Sequence, residues 1–227
     1  MKSGGNQLTP FVLQCGHPLL PISLAQLPLT AAAEIPTKDD CDALLTEMDA
    51  ATTPRLIVLG TDASLAAVLT RLMRTERLHI EVAFVPQDAS DASALYRTGT
   101  GSRAAKVALS GTASATPLIR DDTGSALVGR ATVSGREGSL VGEAYVDDTR
   151  LFSGTCPGIE VSPTLEMPGL RARVQGKRGL FRRRWISGRA IQLGATGARL
   201  TRDGILLPRE TTRSTMYRHD KEWLLVR

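Results

Sequence analysis

The sequence predicts an α/β domain followed by an all-β domain: a small parallel sheet with crossover helices over residues 1–115, then an antiparallel β-sandwich over residues 116–227. Three observations predict it. A continuous apolar run that stops at glycine, Arg55–Gly60, is followed by a helical stripe and a second apolar run, the order of a βαβ unit. From Thr116 onward, short alternating runs are separated by Gly and Asp, the pattern of antiparallel strands and tight turns. The 227 residues, 42% hydrophobic and 22% charged, can bury a core without metal or disulfide staples, and they exclude a disordered, collagenous or coiled-coil chain.

The elements follow in order. Five prolines in the first 37 residues restrict their predecessors to extended geometry, so short strands and loops are expected there, with a strand at Phe11–Gln14. Thr37-Lys-Asp-Asp40 starts a helix with acidic residues in its first turn, continued by Leu44, Leu45 and Met48 and ended by Pro54. Arg55–Gly60 is a strand buried on both faces. Leu65, Val68, Leu69 and Leu72 then trace one face of a helix, and His79–Val85 is the next strand, closed by Pro86. Short helices are expected at Asp91–Arg97 and over 103–109. Strands are expected at Thr116–Ile119, Ala126–Val133, Ser139–Val146, Gly158–Ser162, Leu170–Val174, Arg184–Leu193, Ala198–Thr201 and Trp223–Val226. Gly194 and Gly197 punctuate a strand–turn–strand, and Asp203-Gly204 is a hairpin turn.

Several classes of protein drop out. The longest apolar runs, Leu65–Leu69 and Trp223–Val226, are too short to span a bilayer, and no basic segment precedes an apolar one at the start, which argues against secretion. Cys15, Cys41 and Cys156 are odd in number and widely spaced, so neither a zinc site nor a disulfide framework is indicated and a reducing cytoplasm is expected. HExxH, GxSxG, Walker A and GxGxxG are all absent. His219-Asp220 is the one pair that invites a catalytic reading, and a surface turn explains it. The doublets Asp121-Asp122 and Asp147-Asp148 fit turn chemistry.

The strongest local signal is Leu59-Gly60-Thr61-Asp62-Ala63-Ser64. Gly60 lets the chain turn, and Asp62 can cap a helix whose exposed N–H groups would face the carboxyl end of the sheet, where anions bind. Residues 55–96 resemble the nucleotide-binding core of the diacylglycerol/sphingolipid-kinase superfamily. That family carries a strand, a Gly-Gly-Asp-Gly-Thr turn, a helix, a second strand and Pro-x-Gly-Thr-x-Asn-Asp-Phe-Ala. Gly60, Asp62 and Ser64 match the first Gly, the Asp and, by its hydroxyl, the Thr of the first motif. Pro86 matches the proline opening the second, Asp91 falls on its Asn, and Ala94 on its Ala. Asp203-Gly204 resembles the family's Asp-Gly-Glu turn. The resemblance implies a Rossmann-like domain, then a β-sandwich, with Gly60, Thr61, Asp62, Ser64 and Asp91 at the ligand site.

The departures point away from phosphoryl transfer. Thr61 and Ala63 stand where the family has glycines that admit phosphate, Asp88-Ala89 replace Gly-Thr, Ala92 replaces an Asp, and Ile205 replaces the Glu. The chain is also short for this family. A degenerate, non-phosphorylating homologue is expected, serving as a binding or regulatory module with no catalytic residue, no metal and no cofactor. The rival reading is a divergent lipid kinase using ATP and magnesium.

Charge supplies a second candidate surface. From Arg171 to the end there are fifteen basic and four acidic residues, against thirteen and nineteen before it. The densest stretch holds Lys177, Arg178, Arg182, Arg183 and Arg184, with Phe181 and Trp185 interleaved. An amphipathic basic segment of this kind suits an anionic membrane surface at the inner face, or an acidic protein partner. Nucleic acid is a further alternative, and a homodimer is compatible with the chain.

Overall fold

In the computed structural model, the described residues are 8–176 and 184–227. They form two compact units: residues 8–116 together with 222–227, and residues 117–176 together with 184–221.

The first unit is a six-stranded sheet with helices. Its strands are Leu8–Cys15 (β1), Leu29–Ala32 (β2), Thr53–Leu59 (β3), Glu81–Val85 (β4), Ala113–Thr116 (β5) and the C-terminal strand Trp223–Val226 (β17). Its helices are Lys38–Met48 (α1), Asp62–Arg74 (α2), Asp91–Tyr96 (α3) and Gly101–Ser110 (α4). The strand order is β2-β1-β3-β4-β17-β5, parallel throughout except for β5. β3 and β4 are adjacent parallel strands in register Leu59↔Val85, as the βαβ reading requires. β1, β3 and β4 are buried on both faces, so their apolar residues run without alternation. Val12, Ile57, Leu59, Ala83 and Val85 pack on one side with Leu24 and the small face of α4, Ala104, Ala105 and Ala108.

A buried arginine ties this unit together. Arg55 is only 4% exposed. Its guanidinium pairs with Glu81 at 2.7 Å and donates to the carbonyls of Ala108 and Gly111 at 2.8 and 3.0 Å. It thus satisfies carbonyls at the C-terminal end of α4, where a helix exposes unpaired acceptors and partial negative charge.

Three expectations change in this unit. α1 opens as expected, with a Thr37–Asp40 capping box, but stops at Met48, and Pro54 lies inside β3. Proline is tolerated there because it falls at the start of the strand. Strand Trp223–Val226 was expected in the β-rich half; it pairs instead with β4 and β5 in the first sheet. The expected strand Thr116–Ile119 breaks at Pro117-Leu118, with β5 on one side and the first strand of the second unit on the other.

The second unit is antiparallel: Ile119–Asp121 (β6), Ala126–Leu127 (β7), Ala131–Gly135 (β8), Leu140–Val146 (β9), Thr149–Cys156 (β10), Ile159–Pro163 (β11), Leu170–Val174 (β12), Ile186–Gly188 (β13), Ala190–Arg202 (β14), Ile205–Leu206 (β15) and Thr211–Arg218 (β16). All eleven belong to one hydrogen-bonded sheet. β14 is the hub: one edge pairs with β16, and the other pairs first with β9 and then with β8. The two arms, β9–β10 and β8–β11–β12–β13, share one core that includes Leu140, Phe152, Val161 and Leu170. The expected sandwich is therefore one sheet whose arms share a strand.

β14 also corrects a sequence expectation. Gly194 and Gly197 do not end a strand; the register shifts between Gly194 and Ala198 while the strand continues. The irregularity falls where β14 exchanges β9 for β8, so the strand can bend toward a second partner without ending. Asp203 and Gly204, with φ of +48° and +85°, make the anticipated two-residue hairpin between β14 and β15.

Candidate ligand cleft

The first unit has a cleft of about 490 Å³ at the carboxyl ends of β1, β2, β3 and β4. Strand order reverses between β1 and β3, and this is the switch point at which open α/β sheets bind ligands. Gly16 and His17 follow β1, Glu34 follows β2, Gly60–Asp62 follow β3, and Pro86–Ser90 follow β4.

The turn into α2 is closed on itself. Thr61, not Asp62, is the N-cap. Its side-chain oxygen accepts from the Ser64 N–H at 3.3 Å, while the Thr61 N–H donates to Ser64 Oγ at 2.9 Å. Ser64 Oγ in turn donates to the Glu34 carbonyl at 2.8 Å. The Gly60 N–H points to the Val85 carbonyl at 3.4 Å. Three amides of a phosphate-type turn are thereby taken by the protein itself. Two hydroxyl residues three apart give this reciprocal cap, which glycines at those positions cannot form.

Gly60 is required for space and not for a left-handed turn. A Cβ there would stand 2.6 Å from Ser64 Oγ and 2.9 Å from the Cys15 Cβ. Cys15 and Ser64 are both buried against it, and burial pushes the Cys15 thiol up to about 12.

Asp62 occupies the first helical position and accepts from the Ala92 N–H at 3.0 Å. Burial pushes its carboxyl above the usual carboxylate range, while hydrogen bonds from Ser90 and Ala92 pull it partly back. It therefore braces α2 against α3. Glu34 and Asp88 add two more carboxylates to the cleft wall, against a single histidine, His17.

Of the residues singled out from sequence, Gly60, Thr61 and Asp62 line the cleft, Ser64 is fully buried behind it, and Asp91 begins α3 outside the wall. Cys15, Gly16, His17 and Glu34 were missed, because loops after β1 and β2 carry no local signature. The Asp203 carboxylate accepts from the N–H groups of Gly129 and Arg130 at 2.8 and 3.2 Å, and Ile205 beside it is exposed. Asp121 accepts from the Thr123 and Ser125 amides, the turn chemistry expected of that doublet, whereas Asp147, left-handed at the turn between β9 and β10, accepts instead from the distant amides of Arg189 and Ala190. His219 Nδ1 lies 3.0 Å from Asp220 at the end of the second unit.

In the basic stretch, Lys177, Arg178, Phe181, Arg182 and Arg183 lie outside the described residues. Arg184 is exposed, and the Trp185 ring lies under the guanidiniums of Arg171 and Arg173, 4.5 and 4.4 Å from its centroid. Among the described residues, no helix is long and apolar enough to cross a membrane.

No protein-family model and no curated protein matches the sequence. Solved structures do match its fold. A provisionally assigned diacylglycerol kinase from Bacillus anthracis str. Sterne aligns over 100% of this chain and 98% of its own, at 11% identity and a TM-score of 0.75. A second structure under that description aligns over 99% and 98%, at 10% identity and a TM-score of 0.70. An NAD kinase from Archaeoglobus fulgidus in complex with ATP aligns over 97% and 94%, at 11% identity and a TM-score of 0.60. Identity this low carries the fold alone, and the fold is the two-part architecture shared by diacylglycerol kinase-like structures and NAD kinase.

Proposed function

We propose that this chain is a non-phosphorylating protein on the lipid-kinase fold, a binding or regulatory module that uses its switch-point cleft to hold a ligand without a phosphate chain. One observation carries the reading. The turn into α2 commits the Thr61 and Ser64 amides to each other's hydroxyls and the Gly60 amide to the Val85 carbonyl of β4. Phosphoryl transfer depends on preorganised donors aimed at the phosphates and on a metal that neutralises them. Here Glu34, Asp62 and Asp88 bring negative charge to the same cleft. ATP with magnesium does not fit this lining well, because three of the turn's amides are committed and the nearest charges repel the polyphosphate.

Calorimetric titration with ATP–Mg, together with thermal shift and a diacylglycerol phosphorylation assay, tests the reading. No heat of binding, no stabilisation and no phosphorylated lipid are expected; a working site would stabilise the fold by RT ln(1 + [L]/Kd). Turnover that survives an exposed-surface substitution but disappears in Asp62→Asn would overturn the proposal and establish the chain as a divergent lipid kinase.

A further inference from the structure

The second unit carries a strongly basic sheet face. Strands β12, β11, β8 and β14 are consecutive neighbours, and their register sets one row of side chains on a common face: Arg173 opposite Glu160, Glu160 opposite Thr132, and Thr132 opposite Thr201. Arg171, two residues from Arg173, and Arg199, opposite Ser134, belong to the same face by the two-residue period of a strand. The opposite face of these strands supplies Val133, Val161, Ala172 and Leu200 to the core. Outward polarity is thus built into the alternation. Four strands at the usual spacing of about 4.8 Å give the face a width of about 14 Å.

Its charge is one-sided. Glu160 pairs with Arg173 at 2.7 Å and lies 3.9 Å from Arg130. Glu210 lies 3.5 Å from Arg136 and 3.7 Å from Arg199. Each of the two glutamates therefore meets two arginines, and Arg171 adds a further cation. Trp185 precedes β13, whose Ile186 pairs with Ala172, and its ring rests against both Arg171 and Arg173. The face thus combines five arginines, two acids and one amphipathic ring.

We infer that this face docks on an anionic lipid surface. Delocalised, weakly hydrated guanidinium groups spread over one sheet face match a layer of anionic headgroups, and a tryptophan held among them matches the polar–apolar boundary of a bilayer. Single-stranded nucleic acid fits less well. Its sheet-based recognition relies on aromatic platforms open to bases, whereas Trp185 already carries two guanidiniums. This surface lies within the second unit, so the inference stands independently of the cleft and its ligand.

Co-sedimentation of the full chain with phosphatidylcholine vesicles, with and without one-third phosphatidylglycerol, tests it. Binding is expected only to the anionic vesicles and is expected to weaken as salt rises. Arg136→Gln/Arg199→Gln removes two groups that are 69% and 52% exposed, so the fold should persist with an unchanged melting temperature. At about fivefold per charge near such a surface, the double variant should bind about twenty-five-fold more weakly. Arg103→Gln/Lys106→Gln, which removes two exposed charges from α4, should bind like the parent. Equal binding by parent and Arg136→Gln/Arg199→Gln would overturn the inference. Equal losses in both double variants would do the same, since only net charge would then matter, as would preference for an oligonucleotide over anionic vesicles.

Discussion

Replacing Arg55 by methionine tests the energetics of the first unit, because it keeps most of the buried stem and deletes the fork. In the parent, the guanidinium meets Glu81 at 2.7 Å and donates to the carbonyls of Ala108, Leu109 and Gly111 at 2.8, 3.3 and 3.0 Å. The Glu81 side chain is 21% exposed, so the stranded carboxylate reaches water only in part. Removing one partner of a buried pair costs about 3–5 kcal/mol, and the orphaned carbonyls are part of that loss. Urea unfolding followed by circular dichroism would measure it, with an unchanged m-value showing that the same surface is exposed. Arg55→Met/Glu81→Leu should recover part of the loss, since no unpaired carboxylate remains, but not all, since the α4 carbonyls stay unsatisfied. Arg55→Lys should fall in between, because an ammonium cannot reproduce the fork. A loss below about 1 kcal/mol for Arg55→Met would refute the reasoning, for that is the range of an exposed ion pair. A double variant no more stable than the single one would refute the account of the stranded charge.

Two further outcomes follow from the cleft. Gly60→Ala should destabilise the fold by about 1–3 kcal/mol, the usual cost of overpacking, because its Cβ meets Ser64 and Cys15 below 3.0 Å; a neutral effect in thermal unfolding would show that the α2 turn yields easily. Burial pushes the thiols of Cys15 and Cys41 up from 9.0 to about 12 and about 11. The folded protein should therefore resist alkylation at pH 8 until urea unfolds it. With native values raised, the unfolded chain loses these protons first, so stability should fall as pH rises from about 9 toward 11, by about 1.4 kcal/mol per pH unit for each thiol. Stability that rises over that interval would contradict their burial.

Periodicity alone determined the βαβ core. Apolar runs buried on both faces leave no alternation, and β3, α2 and β4 stand close to their expected places for that reason. Leu170–Val174 and Trp223–Val226 were legible as strands to the residue. β10 and β16 were not, since β10 is mostly exposed and β16 buries Met216 as its one apolar core residue, so neither supplies an apolar pattern. At the cleft, Thr61 and Ala63 were legible as departures from a glycine-rich turn, the Ser64 hydroxyl as a match to its threonine, and the carboxylate of Asp88 as an obstacle to phosphate. The mutual hydrogen bonding of Thr61 and Ser64 was not, because a capping box is defined by backbone geometry as well as by residue type. Tertiary structure alone decided which sheet receives Trp223–Val226, that Glu34 and His17 join the cleft from loops without a motif, and that Arg55 is buried beneath the C-terminal end of α4. Strand partners and a buried charge depend on contacts between residues far apart in the chain, and local sequence carries the propensity to form an element without the identity of its neighbour.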